Sequence, residues 1–291
     1  MKAAAGRVVA LWRYPVKSMM GEELNAADVT ERGLLGDRVY AFVDAVDGRV
    51  ASAKNPSKWP ALFDHRAAFV RPPRLGAPLP PVRITLPDGG MVNSDDAEVD
   101  TALSTTLGRP GRLSSRAPAD AVFEEYWPDV EGLTHRETVT EERAALGSPP
   151  DTFFDYAVVH VLTTASLDRL RQLYPQGRFD TRRFRPNIVV EPETEATGFV
   201  ENGWIGCTLS VGDEVRLSIT DACPRCVMPT LPQGDLPMDS GILRTLAQHN
   251  RVTGGEALGP AGVYRAVAGV YARVVRVGTI RRADTVTLCR E

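Results

Sequence analysis

Short runs of β-branched and aromatic residues, each ended by proline, glycine or an Asp-Gly pair, recur along most of this chain. Residues 7–14 (RVVALWRY) stop at a proline, and residues 38–45 (RVYAFVDA) pass through Asp47-Gly48 into 49–53. Such runs predict strands, the second of them in a hairpin. The 291 residues include 25 glycines and 22 prolines. With no repeated βαβ pattern, this sequence favours a barrel or a sandwich.

The predicted fold class is mainly β (α+β), because only a few short helices interrupt the strands. Ser94 is expected to cap a helix over 95–107 that stops at Gly108, and Thr163 or Thr164 to cap the next helix. A third helix is predicted at 239–250, and further strands at 64–70, 82–86, 155–162, 184–190, 208–220, 263–277 and 285–288.

The length of the chain suggests two domains, because single domains typically hold roughly 100–150 residues. Residues 109–150 show little periodicity and are interrupted by prolines, which is typical of a connection between domains. We therefore predict an N-terminal domain at 1–115 and a C-terminal domain at 116–291, both rich in strands.

Positive charge in the sequence is carried almost entirely by arginine. Only four of the 34 Lys and Arg residues are lysines, at positions 2, 17, 54 and 58, and the net charge is −3. The sequence contains no P-loop motif, and its charge gives no reason to expect nucleic acid as a partner. A pyridoxal phosphate enzyme would need one of the four lysines for its Schiff base. The dense basic run 178–185 (RFDTRRFR) is expected to be a solvated strand edge.

The sequence shows no pattern typical of a targeting or membrane segment. The apolar run at 8–12 is too short for the core of a signal peptide and for a membrane span. Four cysteines are too few for a disulfide framework at this length. We therefore expect a cytoplasmic protein in a reducing environment, without a membrane partner.

The most distinctive local motif is Cys223-Pro224-Arg225-Cys226, which has four interpretations. A structural zinc site would need two more closely spaced ligands, whereas the other cysteines and the four histidines are scattered. A thioredoxin-like redox pair would need a helix to begin at the first cysteine, and the next predicted helix begins only at 239. The third interpretation is two inert buried cysteines. The fourth is one thiolate ligand to a soft metal, beside an arginine that favours an anionic cofactor.

Six short segments lie in order between residues 14 and 271: YPVKS at 14–18, GLLGDR at 33–38, RFRPN at 183–187, WIGCTLSVG at 204–212, CPRC at 223–226 and GVY at 269–271. In this order the sequence resembles the MOSC family. The similarity is greatest to members in which a MOSC-type N-terminal β-barrel precedes the MOSC domain, such as the mitochondrial amidoxime-reducing component and its bacterial relatives. The resemblance implies an N-terminal MOSC β-barrel domain at 1–115 and a MOSC domain with a β-barrel core at 116–291.

The resemblance also implies that the chain binds the molybdenum cofactor, a molybdenum ion on the dithiolene of a pterin with a phosphate tail. Cys226 would be the catalytic residue and the metal ligand, and Cys223 would be structural. The positions that match cofactor-binding ones are Lys17, Ser18, Arg38, Arg185, Asn187, Arg225 and Tyr271. Thr163 is added because its hydroxyl lies at a predicted helix N-terminus. In the predicted strand 184–190, Arg185 would face the barrel interior, where a buried charge needs an anionic partner.

The implied activity is reduction of N-hydroxylated small molecules such as amidoximes and hydroxylamines. Four dispersed cysteines cannot hold an iron–sulfur cluster in the usual four-cysteine manner. Electrons are therefore expected from a separate protein of the ferredoxin or cytochrome b5 type with its reductase. The stretch after Cys226 lacks the DPDTG-like segment of eukaryotic reductases, which leaves the substrate range open. A non-catalytic cofactor carrier, a sulfur-transfer module with a persulfide on Cys226, and a pyridoxal phosphate protein are the alternatives.

Overall fold

The computed structural model describes residues 2–118, 120–144, 149, 152–193 and 196–290. In the first half of the chain the strands are β1 (Lys2–Arg13), β2 (Glu22–Leu24), β3 (Ala26–Thr30), β4 (Gly33–Leu34), β5 (Ala41–Asp44), β6 (Arg66–Phe69), β7 (Val82–Thr85), β8 (Met91–Asn93), β9 (Gly111–Ser114), β10 (Val122–Trp127) and β11 (Thr138–Arg143). In the second half they are β12 (Val159–Thr163), β13 (Ile188–Glu191), β14 (Thr208–Val211), β15 (Val215–Pro224), β16 (Val252–Thr253), β17 (Val263–Tyr264), β18 (Val267–Arg276), β19 (Gly278–Arg281) and β20 (Thr285–Cys289). The helices are α1 (Val99–Leu107), α2 (Thr164–Leu173), α3 (Thr181–Phe184) and α4 (Gly241–His249), and 3₁₀ turns cover Leu62–Asp64, Val200–Trp204 and Met228–Thr230.

Seven strands close into a barrel. The largest sheet has the order β13-β12-β18-β15-β14-β20-β1-β2, and β13 pairs again with β1, so that β2 stays outside the ring. Strands β12 and β13 are parallel, and the other neighbours in this sheet are antiparallel. Closure pairs the sheet edges, which a flat sheet would leave open. The predicted mainly β fold with a barrel core is confirmed.

The barrel interior is filled by apolar side chains at alternate positions of its strands. Val159 and Val161 of β12, Leu217 and Ile219 of β15, and Leu11 of β1 are all fully buried in one cluster. Neighbouring residues on a strand face opposite sides, so this spacing directs one face of each strand inward. Each such side chain contributes about 1.5–3 kcal/mol to folding by leaving water. On the outer face, α2 packs against β12 and α4 against β18.

The N-terminal half has a second core, which a segment from the C-terminal half completes. Trp59 and Leu103 pack there with residues of β5, α1 and the β6–β7–β8 sheet. Cys226, Met228 and Leu231, which follow β15, belong to the same cluster. Conversely, β1 belongs to the barrel. The two halves therefore interlock, and the division at residue 115 stays a prediction from sequence.

Residues 109–150 contain three strands, β9, β10 and β11, which corrects the expectation of little regular structure there. In β10, the buried face carries Phe123 and Glu125. A carboxylate at a buried position concealed the apolar alternation. The predicted return of the chain after Asp47-Gly48 is present over 49–51. The backbone N–H of Asp44 donates to the Arg49 carbonyl at 2.9 Å and that of Ala51 to the Phe42 carbonyl at 2.8 Å, around an antiparallel bridge between Val43 and Val50. Strand β9 also pairs with β5.

Two local predictions of helix boundaries had different outcomes. Gly108 ends α1 with a left-handed φ of 72°, as predicted. Ser94 does not cap this helix, because its Oγ accepts a hydrogen bond from the backbone N–H of Val82 at 3.0 Å and the helix begins only at Val99. Thr163 caps α2, as expected.

The predicted strand at 184–190 is wrong in its first half. Asp180 caps the short helix α3, its Oδ1 accepting from the backbone N–H of Arg182 at 2.9 Å. Arg185 then adopts a left-handed φ of 54°, and β13 begins only at Ile188. The basic run 178–185 is therefore no solvated strand edge, since Arg183 within it is fully buried. None of the helices in the described part of the chain is long and apolar enough to span a membrane.

Candidate cofactor site

A cavity lies where the barrel meets the N-terminal core, and we call it the basic pocket. Eight of the nine predicted site residues line it: Lys17, Ser18, Arg38, Arg185, Asn187, Arg225, Cys226 and Tyr271. They come from the loop after β1, the turn before β5, the connection from α3 to β13, the end of β15, and β18. The fold thus brings together residues that are up to 254 positions apart between Lys17 and Tyr271.

Two buried lysines and two carboxylates form a connected network at one side of the basic pocket. Lys17 Nζ donates to the Phe153 carbonyl at 3.0 Å and is ion-paired with Asp155. Lys54 Nζ lies 3.2 Å from Asp155 Oδ2 and 2.9 Å from Glu125 Oε2. The ring of Phe123 lies under both ammonium groups, at 4.7 and 4.8 Å, where the aromatic face attracts cations.

Burial and pairing act in opposite directions on these groups. Burial lowers the pKa of Lys17, and Asp155 only partly offsets this effect. Burial also disfavours the charged form of Lys54, but Asp155 and Glu125 hold its pKa well above the usual value. Burial would raise the pKa of Asp155, yet Lys17 and Lys54 hold it well below the usual range. Asp155 is therefore ionised and Lys54 protonated at neutral pH.

Three polar residues of the basic pocket have a left-handed backbone. Ser18, Arg38 and Arg185 have φ values of 63°, 50° and 54°, which cost about 1–3 kcal/mol each for residues other than glycine. The surrounding structure imposes them. For example, the backbone N–H of Arg38 donates to the Tyr14 carbonyl at 2.8 Å. Arg185 thus reaches the pocket from a turn and not by strand alternation, which corrects the sequence argument for it.

Arg185 and Arg225 each have a buried donor without a partner among the described residues, Nη2 and Nε respectively. Arg185 Nη1 donates to the Met19 carbonyl at 2.7 Å, and its guanidinium lies 4.1 Å from the ring centre of Tyr14. Burial lowers the pKa of Arg185 to about 10. An unsatisfied buried cationic donor is costly, so a ligand with acceptor oxygens or nitrogens would be stabilised here.

Asn187 and Asp37 hold the wall behind the arginines. Asn187 Nδ2 donates to Asp37 Oδ2 at 2.9 Å, and its Oδ1 accepts from the backbone N–H of His160 at 3.1 Å. Asp37 also accepts from the backbone N–H of Tyr14 at 2.7 Å and is ion-paired with Arg38. Both polar ends of Asn187 are therefore engaged with the protein, so its first role is to position its neighbours.

The two cysteines of the CPRC motif differ in their ionisation. Burial raises the pKa of Cys226 to about 12, Glu125 adds to this, and Lys54 and Arg225 oppose it. Cys223 is equally buried, but Arg225, which donates to its Sγ at 2.9 Å, and His160 lower its pKa to about 6. A metal that binds Cys226 therefore has to displace a proton. Within the described residues, no three His, Cys, Asp or Glu side chains group as metal ligands.

Thr163 lies outside the basic pocket, contrary to its predicted cofactor role. It is fully buried at the start of α2, where its Oγ1 accepts from the backbone N–H of Ser166 at 3.2 Å. The same hydroxyl donates to Glu201 Oε2 at 2.6 Å. Its hydrogen-bonding capacity is used by the helix cap and by a buried carboxylate, so it is not available to a ligand.

Tyr271 of β18 lines the basic pocket, and the strand brings it against His160. The ring centres of these two residues are 5.9 Å apart. Gly269 of the same strand has a φ of 83°, and a Cβ there would lie 2.2 Å from His160 Nε2. Glycine is therefore required for His160 to approach the strand and contact the Ala268 carbonyl at 3.0 Å.

Several lining residues were not predicted: Lys54, Phe154, Asp155, Tyr156, His160 and Met228. The scarcity of lysine is a signal that could have identified Lys54, as it did Lys17. Nothing local marks Asp155, because its partner Lys17 is 138 residues away in the chain. Such pairing is visible only in the folded structure.

Comparison with known proteins identifies both parts of this architecture. Residues 5–80 match the family model of the MOSC N-terminal beta barrel domain, and residues 149–287 match that of the MOSC domain. Mitochondrial amidoxime reducing component 2 from Homo sapiens is 24% identical over 97% of this chain and 83% of its own length, and the Bos taurus protein is 25% identical over 97% and 82%. The crystal structure of the YUAD protein from Bacillus subtilis, 9% identical, aligns over 100% of this chain and 98% of its own with a TM-score of 0.45. The chain belongs to the MOSC family, in the form in which an N-terminal beta barrel domain precedes the MOSC domain.

Proposed function

We propose that the chain binds the molybdenum cofactor in the basic pocket and reduces N-hydroxylated compounds such as amidoximes and hydroxylamines. The observation that carries the proposal is a pair of buried arginine donors, Arg185 Nη2 and Arg225 Nε, that have no partner in the described part of the chain and lie in the same cavity as Cys226. The amidoxime reducing components, which are similar over most of the chain, support the choice of substrate.

The residues of the basic pocket fit this cofactor in their chemistry. A phosphate needs cationic and hydroxyl donors, and a pterin ring needs donors for its nitrogen and oxygen acceptors. The side chains that would hold these groups are Lys17, Ser18, Arg38, Arg185 and Arg225, with Asn187 and Tyr271 in the wall. Cys226 would be the thiolate ligand, and a soft sulfur donor suits molybdenum.

When bound, the cofactor supplies a redox metal centre that accepts oxygen. The protein supplies the charge around it. Lys54 and Arg225 lower the pKa of the Cys226 thiol against the effect of burial, which favours the thiolate. Reduction of an N-hydroxyl group to N–H releases water and therefore consumes protons as well as electrons. Lys54 Nζ, protonated and within the basic pocket, holds a proton at the site.

We propose that the electrons come from a separate protein, of the ferredoxin or cytochrome b5 type. The four cysteines of the sequence are at 207, 223, 226 and 289, and the two in the CPRC motif are the only pair that is close in the sequence. An iron–sulfur cluster normally needs four converging thiolates. This chain would therefore receive electrons at its surface from a partner.

The test uses protein produced in a host that makes the cofactor, with benzamidoxime as substrate and a reduced dye as electron donor. We expect turnover by the wild type. Arg185→Ala should lose cofactor and activity with an unchanged circular dichroism spectrum, whereas Arg169→Ala, on the exposed face of α2, should retain both.

Two outcomes would overturn the proposal. Molybdenum-loaded protein that reduces no N-hydroxylated compound would eliminate the reductase. Protein without molybdenum that carries cyanide-labile sulfur on Cys226 would favour the sulfur-transfer alternative. Unchanged cofactor content in Arg185→Ala would refute the role of that arginine.

A further inference from the structure

A second cavity, of about 290 Å³, adjoins the basic pocket. The two cavities share Lys54, Asp155, Tyr156, Pro224 and Tyr271 in their linings. We call the second cavity the aromatic compartment. Its volume is at the lower end of the range for small-molecule sites in proteins, roughly 300–1,000 Å³. The shared residues place it next to the site proposed for the cofactor.

The outer wall of the aromatic compartment is one face of strand β10. Phe123, Glu125 and Trp127 all line it, and alternate residues of a strand face the same side. Trp127 is fixed by a hydrogen bond from its Nε1 to Thr140 Oγ1, at 3.0 Å, across the β10–β11 hairpin. This wall therefore presents two aromatic rings that are held in place by the hairpin.

The inner wall carries tyrosines whose hydroxyl groups bind one buried carboxylate. Tyr156 and Tyr264 donate to Asp221 at 3.0 and 2.6 Å, and the backbone N–H of Ala257 donates to it at 2.9 Å. Asp221 is 1% exposed. The ring of Tyr156 packs on Tyr271 with 5.3 Å between centres. The hydroxyl groups are thus directed at Asp221, and rigid rings remain to contact a ligand.

The lining carries three carboxylates, of Glu125, Glu142 and Asp155, against two cations, Lys54 and Arg143. This excess of one negative charge disfavours an anionic ligand. Glu125 and Asp155 are paired with Lys54. Glu142 also lines the compartment and accepts from the Thr140 hydroxyl at 3.1 Å. Among the described residues, no lysine or arginine is ion-paired with Glu142. A ligand carrying a carboxylate would meet this charge within a partly enclosed cavity, where repulsion is stronger than in bulk water.

We propose that the aromatic compartment binds the carbon skeleton of the substrate and selects N-hydroxylated compounds with a planar aromatic group and no negative charge. The inference rests on the proposed function, because it assigns a place to the part of the substrate remote from the N-hydroxyl. A ring stacked between Trp127 and the tyrosines gains apolar burial and aromatic contact. With the ring bound there, the N-hydroxyl end of the substrate would lie at the shared residues, next to Lys54 and towards Cys226 in the basic pocket.

The first test is binding, which needs no turnover. Isothermal titration calorimetry measures the Kd of the full chain for benzamidine, the amidine product of benzamidoxime. Leu258→Trp fills the compartment from an exposed lining position, and Leu75→Trp is the matched control, since these leucines are 51% and 58% exposed and Leu75 lines neither cavity. We expect Leu258→Trp to weaken binding about tenfold, a loss of about 1.4 kcal/mol, and Leu75→Trp to leave it unchanged.

Two further ligands and a second variant test which part of benzamidine the compartment recognises. Acetamidine, which lacks the ring, and 4-carboxybenzamidine, which adds a negative charge, should each bind at least about tenfold more weakly than benzamidine. Trp127→Ala should weaken benzamidine binding several-fold and leave acetamidine binding unchanged. Equal benzamidine affinity in the wild type, Leu258→Trp and Trp127→Ala would overturn the inference.

The second test uses loaded enzyme and separates this inference from the proposed function. Leu258→Trp should raise KM for benzamidoxime about tenfold, with kcat/KM for acetamidoxime unchanged. If the wild type reduces both substrates and Leu258→Trp affects them equally, the compartment assignment fails and the reductase stands. If benzamidine binds the compartment but loaded protein reduces neither oxime, the proposed function fails and the inference fails as a substrate site, leaving only a binding cavity.

Discussion

At the scale of single residues, the basic pocket holds charges that do not favour folding. Lys17 is 4% exposed, and burial lowers its pKa despite Asp155. Burial likewise lowers the pKa of Arg185 to about 10. A base whose pKa is lowered in the folded state reduces stability at all pH values below that pKa, where it is charged in both states. An unfavourable contribution of these two cations to folding agrees with the proposal that they bind an anionic ligand.

Replacing Lys17 should lower the affinity for phosphate or the cofactor without lowering the free energy of unfolding. In Lys17→Met, the desolvation of the ammonium is removed while Asp155 keeps Lys54 at 3.2 Å, so we expect a free energy of unfolding within about 1 kcal/mol of the wild type, or higher. Phosphate or cofactor binding should weaken.

Lys58 is the contrast, because Asp47 and Glu124 raise its pKa against burial, and Lys58→Met should lower stability. Urea unfolding measures both, and a loss of several kcal/mol in Lys17→Met would contradict the account.

Cys223 should titrate near neutral pH. Although burial opposes it, Arg225 and His160 lower its pKa from 9.0 to about 6. An acid with a lowered folded-state pKa contributes stability fully above its ordinary pKa, and the contribution is lost as pH falls through 6. The far-ultraviolet thiolate absorbance should therefore rise with a midpoint near pH 6 and disappear in Cys223→Ala. If the titration midpoint near pH 6 persists in Cys223→Ala and disappears in Cys226→Ala, Cys226 and not Cys223 is the thiol with the lowered pKa.

The sequence could predict most residues of the site but not how they are held. Lys17, Arg38, Arg185 and Cys226 lie in short motifs that the family resemblance identifies. Arg185 reaches the basic pocket through a left-handed turn and not through the strand geometry that we expected for it. The network of Lys54, Asp155 and Glu125 was missed because its pairs join distant segments, and one-dimensional patterns carry no such information.

At the scale of elements, Arg183 ties helix α3 to the segment after the CPRC motif. Its guanidinium donates to the carbonyls of Arg178, Pro229, Leu231 and Pro237 at 2.8, 2.9, 3.1 and 2.7 Å. The side chain is fully buried. It therefore holds the 229–237 segment against α3. These two segments follow or precede residues that line the basic pocket, so Arg183 also fixes the chain on both sides of the pocket.

Arg183→Met should be strongly destabilising, in contrast to Lys17→Met. It leaves four carbonyl groups without their donor in a buried place, and we expect a loss of about 3–5 kcal/mol. Arg169→Met on the exposed face of α2 should change stability by no more than about 0.5 kcal/mol. The measurement is the midpoint of urea unfolding for the two variants. Equal midpoints for Arg183→Met and the wild type would refute a structural role for Arg183.

Elements with a local signal were predicted well, and those that depend on distant contacts were not. Helices α2 and α4 show apolar residues at helical spacing, and β18 and β20 are rich in β-branched residues. The predicted strand 155–162 begins only at Val159, and the predicted strand 208–220 is the antiparallel pair β14 and β15 with a turn at 212–214. Strand β10 escaped prediction because Glu125 occupies a buried position, where its ion pair with Lys54 makes the carboxylate tolerable. The first half of the predicted strand 184–190 failed because the Asp180 cap starts a helix there.

At the scale of the whole molecule, the basic pocket joins both ends of the chain. Lys17, Ser18 and Arg38 come from the N-terminal part, and Arg185, Arg225 and Cys226 from the C-terminal part. Strand β1 completes the barrel, while the segment after Cys226 completes the N-terminal core. A ligand bound in the pocket would therefore bridge the two parts of the molecule.

Cofactor binding should stabilise the molecule as one unit. A ligand present at about 100 times its Kd adds about 2.7 kcal/mol to the free energy of unfolding. Because the parts interlock, we expect a single calorimetric transition that moves to higher temperature as a whole when the protein is loaded. Two transitions, of which only one moves, would show that the ligand contacts one part alone.

The most direct test of the central claim is the molybdenum content of purified protein from a host that makes the cofactor. Wild type and Cys223→Ala should carry molybdenum in a near-stoichiometric amount, and Cys226→Ala should lose it while keeping the wild-type circular dichroism spectrum. A wild type without molybdenum, or a Cys226→Ala protein with as much molybdenum as the wild type, would contradict the account.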